Sequence, residues 1–254
     1  MDHLLNIKPL FRDRAEAGQR LAERLEQYRT ASPVVFAIPR GGVPVGVEIA
    51  RRLGAELDVV VARKLGAPFQ PELAIGAVTA DGGRFLNQDV LRELGVDEAY
   101  LERVTKQQLE EARRREERFR AGRPPANVSG RTALLVDDGL ATGATMRAAA
   151  RSLRQRQPAR LVVAVPVGSR QACAALREDA DEVVCLAQPE PFYAIGPYYV
   201  IFEQVDDSKV IDLLSQQATG QPTTSRGGKK DADVPAMNAG APNRRERWVR
   251  RARS

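Results

Sequence analysis

Five short runs along the chain are almost continuously apolar: PVVFAI (33–38), LDVVVA (57–62), TALLVD (132–137), RLVVAVPV (160–167) and EVVCL (182–186). Val, Ile, Leu and Ala without polar alternation describe strands covered on both faces. Between these runs, VPVGVEIARRL (43–53), TMRAAARSLRQR (145–156) and SRQACAALRED (169–179) carry apolar residues at helical spacing. Strand and helix in alternation predict an α/β fold, a central parallel sheet flanked by helices. A further amphipathic helix, DRAEAGQRLAERLEQY (13–28), is predicted ahead of the first strand.

The rhythm breaks between the second and third runs. This stretch holds a Gly- and Pro-rich turn, GAPFQPE (66–72), and a hairpin, AIGAVTADGGRFLN (74–87), with Asp81, Gly82 and Gly83 at its turn. A long charged stretch follows, DEAYLERVTKQQLEEARRREERFR (97–120), with Glu and Arg at i, i+4 spacings such as Glu111 and Arg115. It predicts a solvent-exposed helix. Residues of about 66–130 are therefore expected to form a helical insertion, a size of insertion that often acts on ligands as a lid. One domain over 1–215 is expected, followed by a tail.

Charge sharpens that division. The net charge is +6, but residues 216–254 hold nine Lys or Arg against three Asp or Glu, which leaves thirty of each in the body. The basic tail is rich in Gly, Pro, Ser, Thr and Asn, cannot bury enough surface to repay its ordering entropy, and is expected to be disordered. Its arginines suit an anionic partner. Without an apolar run of membrane-spanning length, and with charges in the first residues where a signal peptide needs an apolar core, a cytoplasmic location and no membrane partner are expected. Cys173 and Cys185 lack metal-site spacing and His3 is the sole histidine, so no protein-bound metal site is expected.

The candidate chemistry lies in LLVDDGLATGATM (134–146). In a parallel sheet the ligand crevice lies beyond the carboxyl ends of the strands, and Asp137 and Asp138 stand at such an end. Gly139, Leu140, Ala141, Thr142 and Gly143 make a loop of little bulk, and Ala144 and Thr145 open the next helix, whose free amides and dipole favour an anion. Thr142 and Thr145 add hydroxyls. Two carboxylates repel a phosphate, so they face a neutral part of the ligand, and a vicinal diol fits their acceptor-only chemistry. A ribose 5-phosphate site is the expectation. The Walker A pattern is excluded because this loop has no Lys, and GGVPVG (41–46) is not a GxGxxG fingerprint.

The segment VDDGLATGAT (136–145) resembles the phosphoribosyl pyrophosphate signature of the type I phosphoribosyltransferases, over roughly residues 10–215. The chain is most similar to a subgroup with unassigned acceptor that shares IPRGGVPVG (38–46), RKLGAP (63–68), PELAIGAV (71–78) and FYAIGPYY (192–199). The resemblance implies that Pro39, Arg40, Gly41 and Gly42 form the pyrophosphate loop, and that one of Arg63 and Lys64, Lys64 in preference, reaches the diphosphate, Lys64 closing the second strand. It implies that Asp137, Asp138, Arg40 and Lys64 act in catalysis, with Mg²⁺ bound mainly through substrate. A hood made of the N-terminal segment and about 188–204 would cover the acceptor, with Phe192, Tyr193, Tyr198 and Tyr199 placed to stack on a ring. Glu72 is a candidate polar residue of the lid. The implied reaction is transfer of the 5-phosphoribosyl group to a nucleobase or similar nitrogen acceptor with release of pyrophosphate, by a homo-oligomer. The alternative is a non-catalytic sensor of phosphoribosyl pyrophosphate whose basic tail contacts nucleic acid. A sugar-phosphate hydrolase ranks last, for want of a nucleophile. Ala144 stands where many members have a second glycine.

Overall fold

The first apolar run forms β1 (Val34–Ala37), every residue of which is buried. Chain and sheet then continue through α2 (Gly42–Leu53), which follows α1 (Arg14–Arg24), to β2 (Glu56–Val59). These elements belong to a computed structural model that describes residues 7–219. An excursion follows, of β3 (Ala62–Ala67), β4 (Gln70–Thr79), β5 (Arg84–Leu86), α3 (Gln88–Glu93) and α4 (Glu98–Arg120). The chain returns as β6 (Thr132–Val136), α5 (Ala144–Gln155), β7 (Arg160–Val167), α6 (Arg170–Ala175), β8 (Glu182–Ala187) and α7 (Asp207–Thr219).

The main sheet has five strands in the order β2-β1-β6-β7-β8, all pairs parallel. Alternate residues of each strand serve opposite faces. Val35, Ala37, Leu134, Val136, Val162 and Ala164 pack with α1, α2 and α7, while Val34, Phe36, Ala133, Leu135, Leu161 and Val163 pack with α5 and α6. Apolar residues at every position are what this two-sided burial requires. EVVCL departs from the expectation: β8 is an edge strand, and all six of its residues are half-buried.

The second sheet is antiparallel, in the order β3-β4-β5. It begins earlier than the sequence predicts. The run LDVVVA is split, because β2 ends at Val59 and Ala62 already pairs with Thr79 in the second sheet. Lys64 therefore does not close the second strand; it sits opposite Ala77 in the hairpin. Nothing in the run punctuates the crossing, since Val60 and Val61 are as buried as the strand before them. Leu65, Ala67, Ile75 and Val78 make a small core with Val90, Leu91, Tyr100, Leu101 and Val104 of α3 and α4.

The long charged helix is present, with Arg115 donating to Glu111 at 2.8 Å. It is not exposed throughout. Its end is anchored where Arg120 donates Nε and Nη2 to the two Asp58 oxygens at 3.0 and 3.1 Å, a pair that is almost fully buried. Helix α7 has no counterpart in the sequence prediction, and position 216, the predicted start of the tail, falls inside it. The rest of the tail, its anionic partner and His3 lie outside the described residues. No described helix is long and apolar enough to cross a membrane.

Candidate active site

Parallel pairing of β1 with β6 aligns Ala37 with Val136, so the loops that leave both strands lie side by side. Their closeness explains two glycines. A Cβ on Gly42 would meet the Val136 carbonyl at 2.8 Å and Asp137 Cα at 2.9 Å, and one on Gly41 would overlap the Asp138 carboxylate. The short loop of Pro39 to Gly42 thus rests directly on the two acids. The Pro39–Arg40 peptide is cis. Arg40 is partly exposed, with Nη1 3.5 Å from Asp207 Oδ1 at the start of α7.

After β6 the loop is pinned at one residue and open at the next three. Leu140 is buried, donates its amide to Val167 O at 2.9 Å and accepts from Ser169 N at 2.8 Å. Its amide is consumed by the fold. Ala141 and Thr142 are exposed, and the amides of Ala141, Thr142 and Gly143 have no protein acceptor among the described residues. Gly143 caps α5 with φ 81°, the left-handed region that favours glycine. Ala144 begins α5, so its methyl packs in the interior where a second glycine is not needed. Gly139 is fixed by crowding: a Cβ there would stand 2.6 Å from Ile195.

The acids differ from two equal carboxylates. Burial, and then the charge of Asp138, push the Asp137 carboxyl well above the usual range. Burial raises Asp138 as well, but Arg14 holds it back: Nε donates to Oδ2 at 2.7 Å between side chains 12% and 11% exposed. Asp137 accordingly keeps its proton more readily than Asp138. Asp138 N also donates to Asp137 Oδ1 at 2.8 Å.

Arg14 arrives with the N-terminal segment. Phe11 and Tyr199 form a parallel bridge, with Val200 N donating to Phe11 O at 2.9 Å and Ile201 N to Arg12 O at 2.8 Å. This brings Arg14 over the Phe202 ring at 3.9 Å, and its Nη1 donates to Glu203 O at 2.7 Å. Tyr199 donates its phenol to the Asp138 carbonyl at 2.6 Å. The hood therefore hangs on Asp138 by two side chains.

Two cavities open at the strand ends. One, of about 410 Å³, is lined by Arg14, Arg40, Gly41, Asp138, Phe202 and Gln204. The other, of about 440 Å³, has Arg63, Lys64, Tyr100, Gln108 and Thr145 in its wall. Lys64 and Thr145 thus share a space, although Lys64 donates to Glu72 Oε2 at 2.9 Å and to Glu72 O at 3.0 Å.

Among the aromatics expected to stack, Phe192 lies against Tyr198 at 5.4 Å in the hood's own core. Tyr193 is exposed beside a separate cavity with Ile7, Lys8 and Pro191. Phe202 provides the ring in the cavity of Asp138. Arg14, Phe202 and Gln204 had no local signal in the sequence, since they reach the site through pairing of distant segments. The described residues hold no cluster of three or more His, Cys, Asp or Glu.

The family profile of the phosphoribosyl transferase domain matches residues 4–200. Proteins of two Mycobacterium tuberculosis strains, CDC 1551 and H37Rv, each provisionally named a phosphoribosyl transferase, are 49% identical over 207 residues, 82% of this chain and 47% of theirs. The chain spans about half the length of these curated relatives. A crystal structure of TT1426 from Thermus thermophilus is 49% identical, with a TM-score of 0.70 over 82% of this chain and 98% of that one.

Proposed function

Because the chain belongs to the phosphoribosyl transferase domain family, we propose that it moves the 5-phosphoribosyl group of phosphoribosyl pyrophosphate onto a nitrogen acceptor and releases pyrophosphate. In this reading the 5′-phosphate sits on the amides of Ala141, Thr142 and Gly143, at the start of α5, with the hydroxyls of Thr142 and Thr145. A helix N-terminus contributes about 0.3–1 kcal/mol to holding such an anion. The ribose hydroxyls donate to the Asp138 carboxylate, and Asp137 beside it is a second partner for the same diol.

The diphosphate is the leaving group. Its bond to C1 breaks with the electron pair going to oxygen, the acceptor nitrogen's lone pair forms the new bond to C1, and the acceptor's proton departs to solvent. Type I phosphoribosyltransferases generally use Mg²⁺ that arrives with phosphoribosyl pyrophosphate, and when bound it would supply positive charge to the departing oxygens. Arg40 does the same from the loop over the acids. Lys64 does so from the hairpin once it leaves Glu72. Asp138 stands beside the positive charge that develops on the sugar. The hood around Phe202 would hold the acceptor.

The observation that carries this reading is the stacking of the Gly41–Gly42 loop on Asp138 and Asp137, next to a loop with three open amides. It sets an anion cradle and a diol acceptor on neighbouring loops beyond the ends of β1 and β6. Calorimetric titration with phosphoribosyl pyrophosphate, with and without Mg²⁺, tests it. Saturable binding that is lost in Asp137→Asn/Asp138→Asn supports the reading, and equal binding by that variant overturns it. A screen of nucleobases and small heteroaromatic amines for pyrophosphate release then identifies the acceptor.

A further inference from the structure

We propose that Arg14 is a positioning residue for sugar binding: it keeps the Asp138 carboxylate ionised and aimed at the ribose hydroxyls, and so couples the hood to the sugar site. The inference rests on the reading of the crevice as a phosphoribosyl pyrophosphate site.

One guanidinium makes three engagements. Nε reaches Asp138 Oδ2 at 2.7 Å, Nη1 reaches Glu203 O at 2.7 Å, and the plane lies over Phe202 at 3.9 Å. A planar fork can serve two acceptors while its face stacks on a ring, which an ammonium cannot do. The bond to Asp138 is made on the side that Gly41 leaves open. One carboxylate oxygen is thereby fixed, which sets the direction of the carboxylate. The pair is nearly buried, so solvent screens it weakly.

The charged and titratable groups around Asp138 come from every element that packs on it. Arg14 comes from α1, Arg40 from the loop after β1, Asp137 from the same loop as Asp138, and the Tyr199 phenol from the hood. Arg14 is the cation hydrogen-bonded to Asp138, whereas Arg40 is directed to Asp207. Loss of the Arg14 charge leaves burial to favour protonation, and a protonated Asp138 is a poorer acceptor for the sugar.

The opposite possibility makes the opposite prediction. A counter-ion that merely blocks Asp138 would have to be displaced by ribose, and its removal would tighten binding.

The test is titration of Mg²⁺ and phosphoribosyl pyrophosphate into the wild type, Arg14→Met and Arg14→Lys between about pH 5 and pH 8. Arg14→Gln replaces Arg14→Met if the latter does not melt cooperatively. In the neutral variant, binding weakens about tenfold near neutrality, and its acid limb moves up by about one pH unit, since the ligand's own titration is common to all proteins. Arg14→Lys returns the acid limb but not the full affinity. Tighter or unchanged binding in Arg14→Met, or one weakening factor at all pH values that Lys does not repair, overturns the inference while leaving the functional reading standing. Absence of binding by the wild type overturns both.

Discussion

A Cβ built on Gly41 would stand 2.0 Å from Oδ2 of Asp138, nearer than any real side chain approaches. Retreat of Asp138 would stretch its bond to Arg14, which holds that same oxygen. Gly41→Ala must therefore displace the loop or the acid. The expected outcome is a loss of phosphoribosyl pyrophosphate affinity of about tenfold or more, equivalent to about 1.4 kcal/mol. Titration calorimetry checks it, with a thermal melt to show that the variant is folded.

Tyr199 is nearly buried, and its phenol donates to the Asp138 carbonyl. Burial, and then the charge of Asp138, raise its pKa, so it remains a donor throughout the range in which the protein works. In Tyr199→Phe the carbonyl loses this partner in the interior, which costs about 1–3 kcal/mol. The expected signature is a lower urea midpoint at unchanged slope.

Lys64 meets a side chain of Glu72 that is fully exposed. Such a pair adds little to stability, so Glu72→Ala should leave the melting temperature unchanged. On the proposed function, however, diphosphate and Glu72 would compete for one ammonium. Inorganic pyrophosphate with Mg²⁺ is expected to bind Glu72→Ala about two- to fivefold more tightly, the scale of a surface ion pair, and Lys64→Ala more weakly than the wild type. The double variant should behave as Lys64→Ala does. Equal affinity in all of these would remove Lys64 from the site.

Asp81 gives a pH signature. Burial pushes its carboxyl up, but hydrogen bonds from Ser152 at 2.6 Å and Thr79 at 2.7 Å, with the Arg156 guanidinium, outweigh burial and lower it to about 2. A depressed carboxyl stabilises the fold above its unfolded value near 3.8 and loses that contribution as pH falls toward 2. Because the residue is partly exposed, about 1 kcal/mol is expected. Asp81→Asn should be less stable than the wild type by that amount at neutral pH, and the difference should close below about pH 4 in denaturant titrations.

How much of this was legible depends on whether a feature is local. The parallel sheet was, because burial on both faces imposes continuous Val, Leu and Ala, as in TALLVD and RLVVAVPV. So was the order of residues that marks a candidate site, because acids at a strand end followed by small residues need no distant partner to be noticed. The split of LDVVVA was not, since Val60 and Val61 cross between sheets while remaining buried and carry no Gly or Pro to mark the crossing. Nor was Arg14, whose partner Asp138 lies 124 positions away. Helix α7 was available: Val210, Leu213 and Leu214 are buried on one face, and Asp206 accepts from Lys209 N at 2.7 Å as its cap. The polar composition immediately after it masked that pattern.

The seat of Asp81 has a mechanical corollary. Ser152 and Arg156, which grip the β4–β5 turn, belong to the far end of α5, and Arg147 and Arg151 on the same helix cover the Phe85 ring of β5 at 4.5 and 5.1 Å. The hairpin bearing Lys64 is thus bolted to the spar whose tip holds Gly143 and Thr145. Any tilt of that spar moves both jaws at once, so the spacing between them is set by the length of a single rigid part.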